Sequence, residues 1–326
     1  MGTLGRRVHV GQDVIPDIEA PGCTWGRYVE QLCLAHGGPT ALVDLLIRRA
    51  GTSVDLPSDP QTIERAIRRL GAKGNGDGGK YGRWLIRFFG VPPPLVETAR
   101  WMGQYHSRFS DLPSSLRHAQ LLLWDRPPIC ETSAAVWIHL GLASVAMRRE
   151  RLDEAQSRLQ RARPKDADAE LETRLLEARL ASDRDDDEAV ETALSAAEDR
   201  LAEVEDPGYA ARLADQRAYR LLRGSTPRLE EARGLYASIE ATTPFAAFRR
   251  SHGLAYCAWK LGDHERARTE AHAAADHAAD GGLVRFRAQA LALLAHIVGG
   301  EQGERLRARA RSMALVLEQE DLLQVT

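Results

Sequence analysis

With 326 residues, 44% of them hydrophobic, the chain is long enough for about two domains with a core each. Its 44 basic and 46 acidic residues leave a net charge of −2, which excludes a uniformly basic or acidic protein. No apolar run approaches the roughly 20 residues of a membrane span, and the first residues lack the apolar core of a secretion signal. Four scattered cysteines without CxxC spacing favour reduced thiols. We therefore expect a cytoplasmic protein that contacts no membrane.

The small net charge conceals a gradient along the chain. Residues 1–130 carry 16 basic and 12 acidic side chains, whereas residues 131–326 carry 28 and 34. Residues 60–100 are especially basic, with eight basic and three acidic side chains. A basic patch ahead of an acidic helical region favours contact with a polyanion, although solvated arginine-rich helix faces produce the same pattern.

The N-terminal third contains several short helical patterns. Residues 1–22 are polar, rich in glycine and proline, and predict a flexible tail. Apolar residues at helical spacing then predict helices at 24–35, 40–50, 59–70, 81–89 and 95–108. Asp59 suits the N-cap of the third helix and Pro60 its first position, and Gly71 is expected to end it.

The polar face of the third helix carries arginine and glutamine, which suit guanine and phosphate, and adenine, respectively. With the helix before it, it resembles a helix-turn-helix DNA-binding unit, whose second helix enters the major groove. The resemblance implies DNA contacts from that face and phosphate contacts from the basic residues after it. These residues are Gln61, Thr62, Arg65, Arg68, Arg69, Lys73, Lys80 and Arg83. The connection over 51–58 is longer than the usual three or four residues, so a plain three-helix bundle stays an alternative.

Residues 72–80, AKGNGDGGK, form a glycine-rich stretch after that helix. Gly74, Gly79 and Lys80 have the spacing of a phosphate-binding P-loop, but Tyr81 stands where that loop needs Ser or Thr, and a helix precedes it instead of a strand. We interpret the stretch as a flexible, wing-like or linking loop. The aromatic face of the next helix favours domain core over base stacking.

A four-residue motif with one or more acidic residues and a final alanine recurs through the rest of the chain. It occurs as LDEA at 152–155, DDEA at 186–189, LEEA at 229–232 and HERA at 264–267. The alanines are 34, 43 and 35 residues apart, and the longer interval predicts a longer second helix and an inserted turn. Before the last of them, Gly262 suits a helix end and Asp263 a cap for the next helix.

This period resembles that of the tetratricopeptide repeat, a helical hairpin of about 34 residues packed through small side chains. A fifth, degraded unit is expected, with helices at 285–297 and 303–318. The resemblances imply an all-α protein with three parts: a flexible tail at 1–22, a helix-turn-helix-like helical domain at 23–112, and an α-solenoid of about five tetratricopeptide-like hairpins at 113–326. An irregular helical bundle with accidental alanines is the alternative.

In tetratricopeptide arrays the first helices of successive units line a concave surface that binds peptides. Carried onto this chain, the groove residues are Trp137, Met147, Arg148, Arg249, His252, Tyr256, Trp259, Lys260, Phe286, Gln289 and His296. Arg249, His252, Tyr256 and Trp259 share one helical stripe, which suits an acidic group or C-terminal carboxylate beside an apolar side chain. Packing of both aromatic residues against the neighbouring unit is the alternative.

The combination resembles bacterial transcription regulators that join a DNA-binding head to a repeat domain sensing a peptide or protein. We expect such a ligand in the groove, double-stranded DNA on the head, and a homodimer as one arrangement of two heads. A scaffold or adaptor that binds proteins without nucleic acid is the alternative. HExxH and GxSxG motifs are lacking, so we expect no enzyme, no cofactor and no metal site.

Overall fold

The computed structural model describes residues 22–73, 76–223 and 226–324, apart from the side chain of Lys73. Within these ranges the chain is all-α, with sixteen α-helices, three short 3-10 turns and no strand. The tail predicted at 1–22 lies, except for Gly22, outside the described residues. Among the helices described, none is long and apolar enough to cross a membrane.

Six helices make up the first part of the fold. They are α1 (Trp25–His36), α2 (Pro39–Ala50), α3 (Pro60–Lys73), α4 (Gly79–Phe89), α5 (Pro93–Gly103) and α6 (Ser114–Trp124). Thr24 caps α1 by accepting a hydrogen bond from the Arg27 N–H. The prediction that α3 ends at Gly71 is wrong. The helix continues because α1 crosses it there, so closely that a Cβ on Gly26 would lie 2.8 Å from the Gly71 carbonyl oxygen, and this packing outweighs the low helix propensity of glycine.

The connection between α5 and α6 departs from the expected helix at 95–108. α5 ends at Gly103, where a Cβ would lie 2.2 Å from the carbonyl oxygen of Trp137. The chain leaves the helix at Gln104 and makes a 3-10 turn at Arg108–Asp111. Residues 104–113, called the linker below, therefore cross from the first six helices toward the later ones as an irregular segment.

Ten helices follow in five consecutive pairs. The pairs are α7 (Ala135–Arg148) with α8 (Leu152–Arg161), α9 (Ala167–Asp183) with α10 (Asp187–Leu201), α11 (Pro207–Leu222) with α12 (Leu229–Ala237), α13 (Pro244–Lys260) with α14 (His264–Asp280), and α15 (Val284–Val298) with α16 (Gly300–Leu317). The two helices of each pair pack together, and the first helix of each pair also packs on the first helix of the next. The first helices therefore form one continuous layer.

Each acidic-alanine pattern begins the second helix of a pair, as predicted. Ala155, Ala232 and Ala267 are fully buried, so the small side chain lets two helices approach closely. Asp263 caps α14 through the Arg266 N–H, and Gly262 has a φ of 83°, as expected for the turn. One predicted cause of the longer interval is present: α10 has 15 residues against 10 in α8. The predicted inserted turn falls between α11 and α12, at 223–228, of which 224 and 225 lie outside the described residues.

One apolar core runs through the first six helices into the first two pairs. It extends from Cys23 to Leu180 and includes Trp124 and Trp137, so it crosses the boundary predicted near residue 112. The far end of the chain returns to this region. The Glu318 carboxylate accepts hydrogen bonds from the backbone N–H and hydroxyl of Ser115, at 2.8 and 2.7 Å. The row of helix pairs thus closes back on its beginning.

Candidate functional site

The closed row of helix pairs surrounds a cavity of about 1530 Å³. The first helices α7, α9, α11, α13 and α15 all contribute to its wall, because equivalent faces of stacked helix pairs lie side by side. Tyr105 of the linker and Leu322 near the C-terminal end also line it. Residues from the linker and from the C-terminal end of the described chain therefore meet at this surface.

Each first helix places one arginine near Tyr105. These arginines are Arg148 of α7, Arg179 of α9, Arg212 of α11, Arg249 of α13 and Arg285 of α15. The guanidinium carbons of Arg285, Arg212 and Arg148 lie 4.3, 4.8 and 5.7 Å from the centre of the Tyr105 ring.

Two of these arginines also hydrogen-bond to Tyr105 itself. Arg249 Nη2 donates to the Tyr105 hydroxyl at 3.5 Å, and Arg285 Nη2 donates to the Tyr105 backbone oxygen at 3.1 Å. We call the five arginines the arginine cluster.

Three carboxylates pair with members of this cluster. Arg212 lies 2.5 Å from Glu172, with both side chains buried, and Arg249 lies 3.1 Å from Asp215. The third pair, Arg179 with Asp183, is looser at 3.8 Å. Arg148 hydrogen-bonds to the neutral amide of Gln319 instead.

The cluster also has unused donors. Nε of Arg148 and Arg249, and Nε and Nη1 of Arg285, are buried and make no hydrogen bond within the described part of the chain. Five guanidinium groups with three paired carboxylates leave an excess of positive charge and free N–H groups, which suit an anionic ligand.

The excess charge affects the pKa of Tyr105. Burial alone raises the pKa of a phenol, but the guanidinium groups of Arg285, Arg249, Arg179 and Arg212 outweigh that effect and lower the pKa of Tyr105 to about 7. Nearby, burial first and Arg249 second lower the pKa of His252 to about 3, so this imidazole is neutral at pH 7. The surroundings of Tyr105 are therefore electropositive.

Six of the eleven groove residues inferred from the sequence line the cavity. They are Met147, Arg148, Arg249, His252, Tyr256 and Gln289. Trp137 and Phe286, by contrast, lie in the core, 2% and 1% exposed, because their positions on α7 and α15 face neighbouring helices. The prediction that these two side chains line a groove is therefore wrong.

The other three lie apart from the cavity, toward the C-terminal ends of α13 and α15. They form a small surface cluster around Trp259, in which Lys260 Nζ lies 4.3 Å from the ring centre and the His296 ring lies 6.1 Å away. Arg249, His252 and Tyr256 thus line the cavity together, whereas Trp259, on the same stripe, does not.

Sequence reasoning missed Tyr105, Arg179, Arg212 and Arg285. A signal was present, since the sequence has an arginine in each first helix at about the 34-residue repeat period. Tyr105 had no such signal. The sequence predicts it within a helix at 95–108, whereas α5 ends at Gly103.

The residues inferred to contact DNA lie on α3 and α4. Gln61, Thr62, Arg65, Arg68, Arg69, Lys80 and Arg83 are all exposed, and the side chain of Lys73 lies outside the described residues. Two of the arginines are paired, Arg65 with Asp59 at 3.6 Å and Arg68 with Glu64 at 2.7 Å. Lys80 lies 5.4 Å from the ring centres of Tyr81 and Trp84. Both helices therefore expose positive charge, and we call these exposed basic side chains of α3 and α4 the basic face.

In comparisons with known proteins, the sequence matches no family model, and no curated protein matches it. Within the described residues, no group of three His, Cys, Asp or Glu side chains could hold a metal ion.

Proposed function

We propose that the ten C-terminal helices form a tetratricopeptide-like α-solenoid whose cavity binds a peptide or a segment of a partner protein. The cavity is the observation that carries this proposal. At about 1530 Å³ it exceeds the roughly 300–1,000 Å³ of small-molecule sites, and it suits several residues of a peptide. Its wall combines guanidinium groups with Met147, Leu176 and Tyr256, so it offers both charge and apolar contact.

Peptide capture should depend on Tyr256 and not on Trp259. Both are half-buried aromatic residues on α13, but only Tyr256 lines the cavity. Peptides would be selected from a displayed random library with the purified protein, resynthesised, and measured by calorimetry. Replacement of Tyr256 by Ala should weaken binding about tenfold or more, as expected for a buried aromatic contact, while Trp259→Ala serves as the matched control. Failure to select any peptide, or equal affinity in parent and both variants, would contradict the proposal.

A second function is favoured by the basic face of the first part. We infer that α3 acts as the reading helix of a helix-turn-helix-like head that binds double-stranded DNA, so that the whole chain would be a ligand-controlled transcription regulator. The support is the exposure of arginines on α3 and α4; Arg69 and Arg83 form no ion pair with the described residues. The nine-residue connection over 51–59 between α2 and α3 is longer than in that family. The alternative function, a scaffold without nucleic acid, predicts no binding.

We expect the variant with Arg65, Arg68 and Arg69 changed to Ala to lose DNA binding. Affinity for genomic fragments would be measured by gel shift over a series of salt concentrations. Each lost phosphate contact should reduce the slope of log K against log salt by about 0.9. The control changes Arg305, Arg309 and Arg311 of α16, three exposed arginines of which Arg305 pairs with Glu301 as Arg68 does with Glu64. Binding by the α3 variant equal to that of the control would exclude this face.

A further inference from the structure

Tyr105 belongs to the linker, not to the helix pairs whose arginines surround it. On one side of it, Gln104 and His106 both contact the Asp206 carboxylate, at 2.8 and 2.9 Å. On the other side, Asp111 accepts a hydrogen bond from the backbone N–H of Arg285 at 3.0 Å. The linker is therefore held across the inner layer of helices, and it carries one phenol into the arginine cluster.

The charges that face Tyr105 come from every element packed around it. Besides the arginine cluster, Arg117 of α6 contributes a sixth guanidinium group. The carboxylates are those of Glu172, Asp183, Asp215 and Asp111. Six cations and four anions leave an excess of two positive charges, since His252 is neutral at pH 7. An anion at the position of the Tyr105 hydroxyl would reduce this excess.

We propose that Tyr105 is an internal occupant of an anion site, and that the ligand of the cavity carries a carboxylate or phosphate group that displaces it from the arginine cluster. The proposal rests on the proposed function of the cavity and specifies its ligand chemistry. Carboxylate and phosphate oxygens can accept hydrogen bonds from the unpartnered Nε groups of Arg148 and Arg249, which line the cavity. Arg285, which contacts Tyr105 without lining the cavity, has two further unpartnered N–H groups, more than one phenol oxygen can satisfy.

Displacement of Tyr105 couples the cavity to the first part of the fold. Tyr105 is only two residues from Gly103, where α5 ends against the backbone of α7. A ligand that binds better when Tyr105 has left the cluster shifts the linker population toward that arrangement. The anion site thus lies where a ligand can alter the attachment of the helices that carry the basic face.

Tyrosinate absorbance tests the proposal directly. In the parent protein one tyrosine should ionise near pH 7, and in Tyr105→Phe that step should be missing. Inorganic phosphate and glutarate, each added at constant ionic strength against chloride, are the probes. A bound anion displaces Tyr105 from the arginine cluster, so it should raise the ionisation midpoint of Tyr105 toward the ordinary tyrosine pKa of about 10. Conversely, the affinity for glutarate, whose charge is constant in this range, should fall as the pH rises through about 7, because the phenolate then competes.

Variants on α9 separate the cluster from general charge effects. Arg179→Gln removes one cation, so the Tyr105 midpoint should rise by about one pH unit and anion affinity should fall. Arg174→Gln is the matched control, since Arg174 lies on the same helix and pairs with Glu170 and Glu177 away from the cavity. A shift by phosphate alone assigns the site to a phosphate group, and a shift by glutarate alone to a carboxylate.

Two results would overturn the proposal: no tyrosine that ionises below about pH 9, or no shift of the Tyr105 midpoint when phosphate or glutarate replaces chloride. Peptide capture that depends on Tyr256 but not on anions or Tyr105 would remove the anion site and leave the proposed function intact. Anion-dependent ionisation of Tyr105 without any captured peptide would support the anion site and contradict the proposed function.

Discussion

Replacing Arg212 by Met should lower the free energy of unfolding by about 3–5 kcal/mol, because Glu172 is left as a buried charge without its partner. The pair joins α11 to α9 at 2.5 Å, and the two side chains are 3% and 0% exposed. The second oxygen of Glu172 has no hydrogen-bond partner in the described residues, so Arg212 is the one donor among them that bonds to this carboxylate. Urea denaturation at pH 7 measures the loss.

Arg217 provides the matched control for this prediction. It lies on the same helix and pairs with Glu191 and Glu198, but these carboxylates are 53% and 62% exposed. Water can solvate them when the arginine is removed, so Arg217→Met should change stability by less than about 1 kcal/mol.

A second variant checks the cause of the loss. Changing Glu172 to Leu in the Arg212→Met background should restore much of the stability, since the pair then becomes apolar. A deficit no larger than that of Arg217→Met would show that the pair is not needed.

The helix pairs were predictable because their signal is local and repeated. The acidic residues before Ala155 and Ala267 favour a helix N-terminus, and the alanines permit close packing, so each motif states where a second helix begins. The single-residue limits were less predictable. α5 ends at Gly103, and the next residue, Gln104, leaves the helix and bonds to Asp206, a contact between residues 102 positions apart that helical periodicity does not encode.

The cavity depends on the same kind of long-range information. The stripe of Arg249, His252 and Tyr256 could be read from one helix, since residues three and four apart share a face. The convergence of Arg148, Arg212 and Arg249 on Tyr105 required the curvature of the whole row of helices. Nothing in the sequence near Tyr105 shows that the linker crosses that row.

The glycine-rich stretch at 72–80 also differs from the flexible loop predicted from the sequence. Gly74 and Asn75 lie outside the described residues, but the part from Gly76 onward packs on Trp25 at the start of α1. The Trp25 indole N–H donates to the Gly76 carbonyl oxygen at 2.9 Å. A Cβ on Gly78 would lie 2.1 Å from the ring, and one on Gly82 2.6 Å from it. These two glycines therefore serve close packing on an aromatic ring, which the sequence interpretation as a flexible loop did not anticipate.

Replacing Trp25 by Ala should accordingly cost about 3–5 kcal/mol, the usual range for a large buried aromatic residue. Trp25 is 1% exposed, and its ring also packs edge-on against Tyr28, with centroids 5.5 Å apart. Trp101→Ala is the control, since Trp101 is 45% exposed and should contribute far less. Thermal and urea unfolding of the full chain give the comparison, and similar losses in the two variants would contradict the assignment of Trp25 as the centre of this packing.

Gly82→Ala tests the same contact from the other side. The added methyl group would overlap the Trp25 ring, so we expect a loss of about 1–3 kcal/mol from overpacking. In the Trp25→Ala background the same methyl group enters vacated space. The double variant should therefore lose less stability than the sum of the two single losses. Strict additivity would mean that the residues do not meet. Because Gly82 and Arg83 are neighbours on α4, weakened DNA binding by Gly82→Ala at a temperature where it stays folded would link this packing to the position of the basic face.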